Sequence, residues 1–224
     1  MRRVFLRGMI CAALAAVATT TATATAGAYT PAVPPNGTLF GATYGEWFGR
    51  WLNWAVTPPA ATNPLANPKN CKITPQPGNR VWFLTPSSGG KLTQSCTIPR
   101  ARAIFVPIAG NLGFAETPKD TFATLRPGAV IVFKEASVLQ ASIDGQPVPG
   151  LRSYKSQTRN LLLRLPGNNI FQLAPGPTRF VAAGFNLLVT GLSPGKHTIV
   201  TYTELKSPGQ PAFKAGMTYR LTIE

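Results

Sequence analysis

The chain has 224 residues, of which 22 are Lys or Arg and only 7 are Asp or Glu, so its formal net charge is +15. Its 22 prolines and 21 glycines fall between short apolar runs, a pattern that is typical of an all-β protein and argues against a helical bundle. The length fits one domain of ordinary size, and the charge favours association with anionic surfaces.

The first 28 residues have the pattern of an export signal. A short basic start contains Arg2, Arg3 and Arg7, an uncharged stretch follows at 8–18, and small residues precede a cleavage site near 26–28. The uncharged stretch is too short and too rich in threonine to span a bilayer. We therefore predict a secreted or periplasmic protein without a transmembrane span, and we favour the general secretion route over the twin-arginine route.

The segment 29–62 is predicted to be an extended leader followed by one amphipathic helix. Thr43 and Glu46 have the spacing of a capping box, in which each side chain binds a backbone donor near the start of the helix. At 100° per residue, Glu46, Arg50 and Asn53 form a narrow polar stripe opposite a wide aromatic and apolar arc. Most of this helix is therefore expected to be covered.

Three tryptophans on this helix allow two interpretations. Large aromatic residues at helical spacing usually pack a core, and we favour that role for most of them. Trp47 and Trp54 border the polar stripe and are candidate ligand-binding residues, because aromatic faces stack on sugar rings. Gly45 and Gly49 share one edge of the helix, where they would let a neighbouring backbone approach closely.

Cys71 and Cys96 remain after removal of the signal. An exported chain with one pair of cysteines most simply joins them, and the bridge would contribute roughly 3–4 kcal/mol on the chain-entropy model. A metal site is the alternative, but two sulfurs and one distant histidine supply too few ligands. We predict a disulfide, with no metal and no cofactor.

Residues 63–224 are predicted to be a single antiparallel β-sandwich of jelly-roll or immunoglobulin-like type, stapled by this disulfide. In chain order, the predicted strands lie at 81–84, at 96–98 continuing through 103–108, and at 129–133, 138–143, 160–165, 185–190, 198–204 and 217–223. The last strand is the clearest because its apolar and polar residues alternate strictly. Asp144-Gly145 predicts a two-residue hairpin turn, since both residue types tolerate positive φ.

A set of short motifs is spread over this region: Cys71, Val81-Trp82-Phe83-Leu84, Gly89-Gly90, Cys96-Thr97-Ile98-Pro99, Ile104-Phe105-Val106-Pro107-Ile108, Asn111, Ile143-Asp144-Gly145-Gln146-Pro147-Val148 and Leu192-Ser193-Pro194-Gly195-Lys196-His197-Thr198-Ile199. Together they resemble a group of exported bacterial proteins of unknown function, from the tryptophan helix to the C-terminus. The resemblance implies a secreted β-sandwich and supplies no activity. The chain departs from the group at 63–67, where an acid after the Asn-Pro pair is missing.

Basic residues accumulate where acids are absent. No acid occurs between Asp144 and Glu204, which leaves a long cationic stretch. Four residues of this stretch are predicted to form a basic binding face: Arg152, Lys155, Arg159 and Arg164. An anionic envelope polymer or polysaccharide is the expected partner, whereas export removes the usual opportunity to meet nucleic acid. The alternative is that the charge only keeps an exported protein soluble.

Candidates for catalysis are few, because the sequence has no phosphate loop and no nucleophile elbow. His197 is the only histidine and could be a general base oriented by Glu204 or Asp144. We favour a structural role, in which its ring binds the backbone of the preceding turn. Glu135 and Glu204 are the remaining strand-borne acids for a glycosidase pair.

These observations favour a non-enzymatic exported protein that binds, or associates structurally, at the bacterial envelope through a basic surface. The alternative is a secreted carbohydrate-active hydrolase with a cleft beside the tryptophan helix. The sequence predicts no oligomeric state.

Overall fold

The computed structural model describes residues 31–224, which form a mostly β fold with several helices. The predicted signal peptide lies outside these residues. The helices are α1 (Tyr44–Val56), α2 (Phe122–Val130) and α3 (Val132–Glu135), with single 3₁₀ turns at Ala60–Thr62 and Leu151–Ser153. The strands are β1 (Thr38–Leu39), β2 (Ala42–Thr43), β3 (Val81–Phe83), β4 (Gly90–Ile98), β5 (Ala103–Phe114), β6 (Ala136–Ile143), β7 (Gln146–Pro147), β8 (Lys155–Gln157), β9 (Leu161–Leu165), β10 (Gly176–Val189), β11 (Gly195–Leu205) and β12 (Phe213–Ile223).

Most of these strands form two five-stranded sheets. In the first sheet the order is β3, β5, β10, β8, and β9 pairs with a different part of β10. In the second sheet the order is β4, β12, β11, β6, β7. The short strands β1 and β2 form a hairpin directly before α1. The predicted extended leader therefore ends in a hairpin, and its preceding part lies along β10, where the Val33 amide donates to the Leu188 carbonyl at 2.8 Å.

The prediction of a purely antiparallel fold is wrong, because each sheet contains one parallel pair. β3 runs parallel to β5, and β4 runs parallel to β12. Between β3 and β5 the chain passes through β4 in the second sheet and then returns. This excursion supplies the long connection that parallel neighbours need, and it brings β5 into the first sheet in the direction of β3.

The prediction of a strand at 129–133 is also wrong, and α1 is not the only helix. The apolar, β-branched run there lies at the end of α2 and in α3. Thr121 and Thr124 form a capping box that starts α2. The side-chain amide of Asn111 in β5 donates to the Gly128 carbonyl of α2 at 2.9 Å. Docking of α2 on the first sheet therefore overrides the local preference of this run for an extended chain.

The segments 96–98 and 103–108 were predicted to form one continuous strand, and the structure divides them between the sheets. The first segment ends β4, and the second begins β5. Ala101 between them has a φ of +66°, a left-handed conformation that an extended strand does not contain. The chain therefore turns sharply at this point and crosses from one sheet to the other.

Several local predictions are confirmed. Both hydrogen bonds of the capping box at Thr43 and Glu46 are present at the start of α1. Asp144 and Gly145 have φ values of +50° and +79° in the turn between β6 and β7. In β12 the alternate residues Met217, Tyr219, Leu221 and Ile223 are all buried.

The inward sides of both sheets and the aromatic arc of α1 belong to one hydrophobic core. Phe48 and Trp51 of α1 each lie with ring centroids 6.1 Å from that of Phe105, which is fully buried in β5. The Trp51 indole donates to the Leu84 carbonyl at 2.8 Å. Among residues 31–224, no helix has the length and apolar character required to cross a bilayer.

Candidate functional site

The predicted disulfide between Cys71 and Cys96 is confirmed, with the two Cα atoms 5.9 Å apart. It attaches the irregular loop before β3 to the edge of β4. Two further contacts hold the same loop in place: a backbone bridge between Asn70 and Ser95, and a 2.8 Å hydrogen bond from the Gln94 side-chain amide to the Pro68 carbonyl. The loop therefore extends the second sheet beyond β4.

A basic groove of about 680 Å³ lies where this loop meets the outer face of the second sheet. We define the basic groove by the four cationic side chains along it: Lys69, Lys72, Lys196 and Arg220. All four are exposed, and no carboxylate is among the residues that line the groove. No acid inside the groove therefore offsets the positive charge of these four side chains, and their combined field attracts anions.

Strand register places hydroxyl groups between the cations of the basic groove. Thr198 of β11 pairs with Arg220 of β12, and Arg220 in turn pairs with Ser95 of β4. In the next row, Lys196 pairs with Thr222, and Thr222 pairs with Thr97. All of these residues line the groove. It thus presents ammonium, guanidinium and hydroxyl donors side by side, which suits a ligand that carries both anionic groups and hydroxyls.

His197 lies at one end of the groove with both ring nitrogens engaged. Its Nδ1 is 2.7 Å from Oδ2 of Asp144, and its Nε2 is 2.8 Å from the Ser193 carbonyl. The other oxygen of Asp144 accepts the Thr198 amide at 2.7 Å. The ring thus contacts the preceding turn, and Asp144 orients it, but neither nitrogen is free to take a proton from a substrate.

The two ring contacts of His197 favour its protonated form, because both partners are hydrogen-bond acceptors. Burial alone lowers the pKa of His197, but the hydrogen bonds to Asp144 and Ser193 raise it further than burial lowers it. The folded pKa therefore lies above the ordinary value of 6.5. Protonated His197 therefore stabilises the folded state. This contribution to the free energy of unfolding is fully present below the unfolded pKa of His197 and is lost as the pH rises through its folded pKa.

We expect the single imidazole to titrate with a midpoint above 6.5 in a proton NMR titration of the folded protein. Asp144→Asn should lower that midpoint, because it removes the carboxylate that accepts from Nδ1. A midpoint at or below 6.5 in the wild type would contradict the assignment of both ring contacts.

The structure does not bring together the four residues of the predicted basic face, although all four are exposed. Lys155 on β8 pairs with Phe185, whereas Arg164 on β9 pairs with Pro177. These positions are eight residues apart on β10, which is roughly 26 Å at the rise of a strand. Separate partners also engage three of them: Arg152 donates to the Ser137 carbonyl, Lys155 lies over Phe133, and Arg159 pairs with Glu46.

Trp47 and Trp54, the predicted ligand-binding aromatics, are both buried to 6% exposure. Their indole N–H groups donate to backbone carbonyls, Trp47 to Leu39 at 2.9 Å and Trp54 to Pro75 at 3.0 Å. These contacts explain how two indoles beside the polar stripe of α1 are covered. Trp47 still lines a cleft next to α1, whereas Trp54 does not.

This helix cleft, of about 580 Å³, lies between α1, β9 and the residues before β3. Its apolar lining comes from Trp47, Val81, Phe83, Leu161 and Leu163. Its charged lining consists of three arginines and one acid: Arg50, Arg80, Arg159 and Glu46.

Glu46 is committed to the helix start and to Arg159. Its side chain accepts from the backbone amide of Thr43 at 2.9 Å and from the Thr43 hydroxyl at 3.0 Å, and it pairs with Arg159. The hydrogen bonds from Thr43, first backbone and then side chain, together with Arg159 and Arg50, hold the pKa of Glu46 below its usual value. Glu46 therefore stays ionised, and it is the only carboxylate that lines the helix cleft.

Glu135 and Glu204 lie outside both the basic groove and the helix cleft. The Lys206 amide donates to the Glu135 carbonyl, which places the two acids at the same end of the second sheet. The Glu135 carboxylate accepts from the Ser207 hydroxyl at 2.7 Å, and that of Glu204 accepts from the Tyr202 hydroxyl at 2.6 Å.

Sequence reasoning missed the basic groove as a unit. Arg220 lies between the buried Tyr219 and Leu221 on β12, which is a signal that it points outwards, whereas Lys196 has no buried neighbour in sequence and reaches the groove through its pairing with Thr222. Lys69 and Lys72 flank Cys71, so the disulfide indicates that they lie near β4. The missing information was the pairing of β4 with β12, which no local pattern contains.

Within residues 31–224 there is no group of three or more His, Cys, Asp or Glu side chains that could hold a metal ion. The basic groove combines fixed positive charge with hydroxyl groups and contains no carboxylate, which is the chemistry of an anion-binding surface. Comparisons with protein-family models, with curated proteins and with solved structures find no match to this chain.

Proposed function

We propose that this chain is an exported, non-enzymatic binding protein that holds an anionic envelope polymer or acidic polysaccharide in its basic groove. The two sheets, each with one parallel pair, are proposed to pack as a β-sandwich, the architecture that the resemblance to the exported bacterial group implies. Their inward residues share one core, and the Tyr219 hydroxyl of β12 donates to the Thr85 carbonyl beside β3 at 3.0 Å.

The observation that carries the binding proposal is the set of four exposed cations around one groove without a lining carboxylate. Exposed ion pairs are individually weak and screened by salt. Four cations that face one polyanion act together, because the ligand carries repeated charges along its length. The groove is also open to solvent along the sheet face, so that a chain-like ligand can lie across it.

The hydroxyl groups between the cations favour a sugar polymer over a simple salt. Ser95, Thr97, Thr198 and Thr222 can each donate and accept hydrogen bonds, as sugar hydroxyls do. The cations supply affinity for the acidic groups, and the hydroxyls add contacts to the neutral part of each sugar.

The test compares two variants of equal net charge. The groove variant carries Lys69→Gln, Lys72→Gln, Lys196→Gln and Arg220→Gln. The control variant carries Arg152→Gln, Lys155→Gln, Arg159→Gln and Arg164→Gln. Dextran sulfate is the probe, and uncharged dextran of the same length shows the contribution of sugar contacts alone.

We expect the groove variant to bind dextran sulfate at least roughly tenfold more weakly than the wild type at low salt, because four weak contacts are lost together. The control variant should bind within about twofold of the wild type, since its four cations cannot engage one short stretch of polymer. Binding by the wild type should weaken steeply with salt. Equal losses in the two variants, or a larger loss in the control, would contradict the groove as the binding surface.

A further inference from the structure

We propose that the helix cleft is a second binding site, for a small amphiphilic anion with one carboxylate or phosphate group on an apolar body. The site is distinct from the basic groove, because the two have no lining residue in common. Its elements are α1, β9 and the residues that lead into β3. The proposal is therefore independent of polymer binding.

Two arginines of the cleft are stacked on aromatic rings. The guanidinium carbon of Arg50 lies 4.3 Å from the centre of the Trp47 ring, and that of Arg80 lies 5.4 Å from the centre of the Phe40 ring. Trp47 and Phe40 meet edge to face with centroids 6.4 Å apart. The four side chains thus form a continuous ladder with one arginine at each end. Trp47 and both arginines line the cleft, whereas Phe40 contacts Arg80 and Trp47 without being among the lining residues.

Stacking holds a guanidinium in place while its edge, which carries the N–H donors, stays available. Among the residues that the structure describes, Arg159 has Glu46 within 4.0 Å, whereas Arg50 and Arg80 have no carboxylate within that distance. Both are exposed. Two pre-positioned arginines, neither of which forms a salt bridge with a carboxylate, are suited to a carboxylate or phosphate, which guanidinium groups bind through paired hydrogen bonds.

Phe40 gives independent support. It has a φ of +51°, in the left-handed region that an aromatic residue rarely adopts, and it is 46% exposed. It is followed by Gly41, also at positive φ, in the two-residue turn of the β1–β2 hairpin. Asn or Gly would suit the Phe40 position better for folding alone. Phe40 thus keeps an unfavourable backbone conformation while its ring supports the Arg80 guanidinium, and we interpret this as positioning of that arginine for a ligand.

The walls and size of the cleft define the rest of the ligand. Val81, Phe83, Leu161 and Leu163 provide an apolar surface below the arginine rim. A volume of about 580 Å³ lies in the range of small-molecule sites. An apolar body of moderate size therefore fits the cleft, with its anionic group at Arg50 or Arg80.

The test uses decanoate and decyl phosphate as anionic probes and decanol as the uncharged control, with isothermal titration calorimetry as the measurement. We expect the wild type to bind at least one anionic probe roughly tenfold more tightly than decanol, and the tighter of the two identifies the preferred head group. Arg50→Gln combined with Arg80→Gln should remove this preference for the anion. Binding of decanol as tight as that of both anions would overturn the proposal.

Phe40→Asn separates a ligand role from a folding role. It should leave the thermal unfolding midpoint unchanged or raise it, and it should weaken binding of the anionic probe by at least about fivefold. The basic-groove variant serves as the control, and its affinity for the probe should equal that of the wild type. Unchanged probe affinity in Phe40→Asn, or loss of probe binding in the groove variant, would overturn the proposal, whatever the result with dextran sulfate.

Discussion

Replacing Cys71 and Cys96 together with alanine is expected to lower the free energy of unfolding by about 2–5 kcal/mol. The disulfide joins cysteines 25 positions apart, and residues 71–80 and 84–89 of the enclosed segment lie outside helices and strands. Loss of the crosslink increases the freedom of the unfolded chain and releases the loop from the edge of β4. Urea denaturation at fixed pH measures the change.

Reduction of the wild-type protein provides the control for this prediction. A reducing agent should destabilise the wild type by about as much as the double substitution and should leave the variant unaffected. Because the disulfide also positions Lys69 and Lys72, the variant should bind dextran sulfate more weakly than the wild type. A loss of stability well under about 1 kcal/mol would contradict the role assigned to the crosslink.

Gly45→Ala is expected to destabilise the protein by about 1–3 kcal/mol, although alanine is the better helix former. A Cβ atom at Gly45 would collide with the backbone carbonyl oxygen of Gln157 in β8. This oxygen belongs to the backbone of the first sheet and cannot move alone, so either α1 or β8 has to shift. Thermal or urea denaturation of the purified variant measures the loss.

Gly49→Ala is the matched control on the same edge of α1. A Cβ atom there would meet only the methyl groups of Leu161, at 3.7 and 3.8 Å, which is ordinary van der Waals contact. This change should therefore stabilise the protein by roughly 0.5–1 kcal/mol through helix propensity. Equal effects of the two substitutions would show that the close approach of α1 to β8 does not limit the choice of residue at position 45.

Features defined by local physics could be predicted from the sequence. The start of α1 depends on Thr43 and Glu46, which are three residues apart, and the β6–β7 turn depends on Asp144-Gly145. The side-chain alternation of β12 likewise requires only its own residues. In each case the residues that define the feature lie within a few positions of one another, so the sequence pattern contains it.

Features that depend on distant partners could not be predicted. The parallel pair of β4 and β12 joins segments from the middle and the end of the chain, and neither carries a signal for the other. The apolar run at 129–133 has the composition of a strand, but Thr121 and Thr124 start a helix before it, and the sheet beneath holds that helix in place. Tertiary contact overrides local propensity there.

The basic residues of the candidate site show the same difference between proximity in sequence and proximity in the fold. Arg152, Lys155 and Arg164 are close in sequence, but β8 and β9 pair with different parts of β10, which separates them. Lys69 and Arg220 are far apart in sequence, yet the disulfide and the β4–β12 pairing bring them to one groove. Charge density along a sequence therefore indicates affinity for anions, whereas strand register decides where the charges meet.

The most direct test of polymer binding is an amide NMR titration of the ¹⁵N-labelled wild-type protein with a short dextran sulfate. We expect the largest shift changes at 69–72, at 95–97, and at the outward residues of β11 and β12 around Thr198 and Arg220. Changes that instead centre on Arg152, Lys155 and Arg164, or that spread evenly over all basic surfaces, would contradict binding in the basic groove.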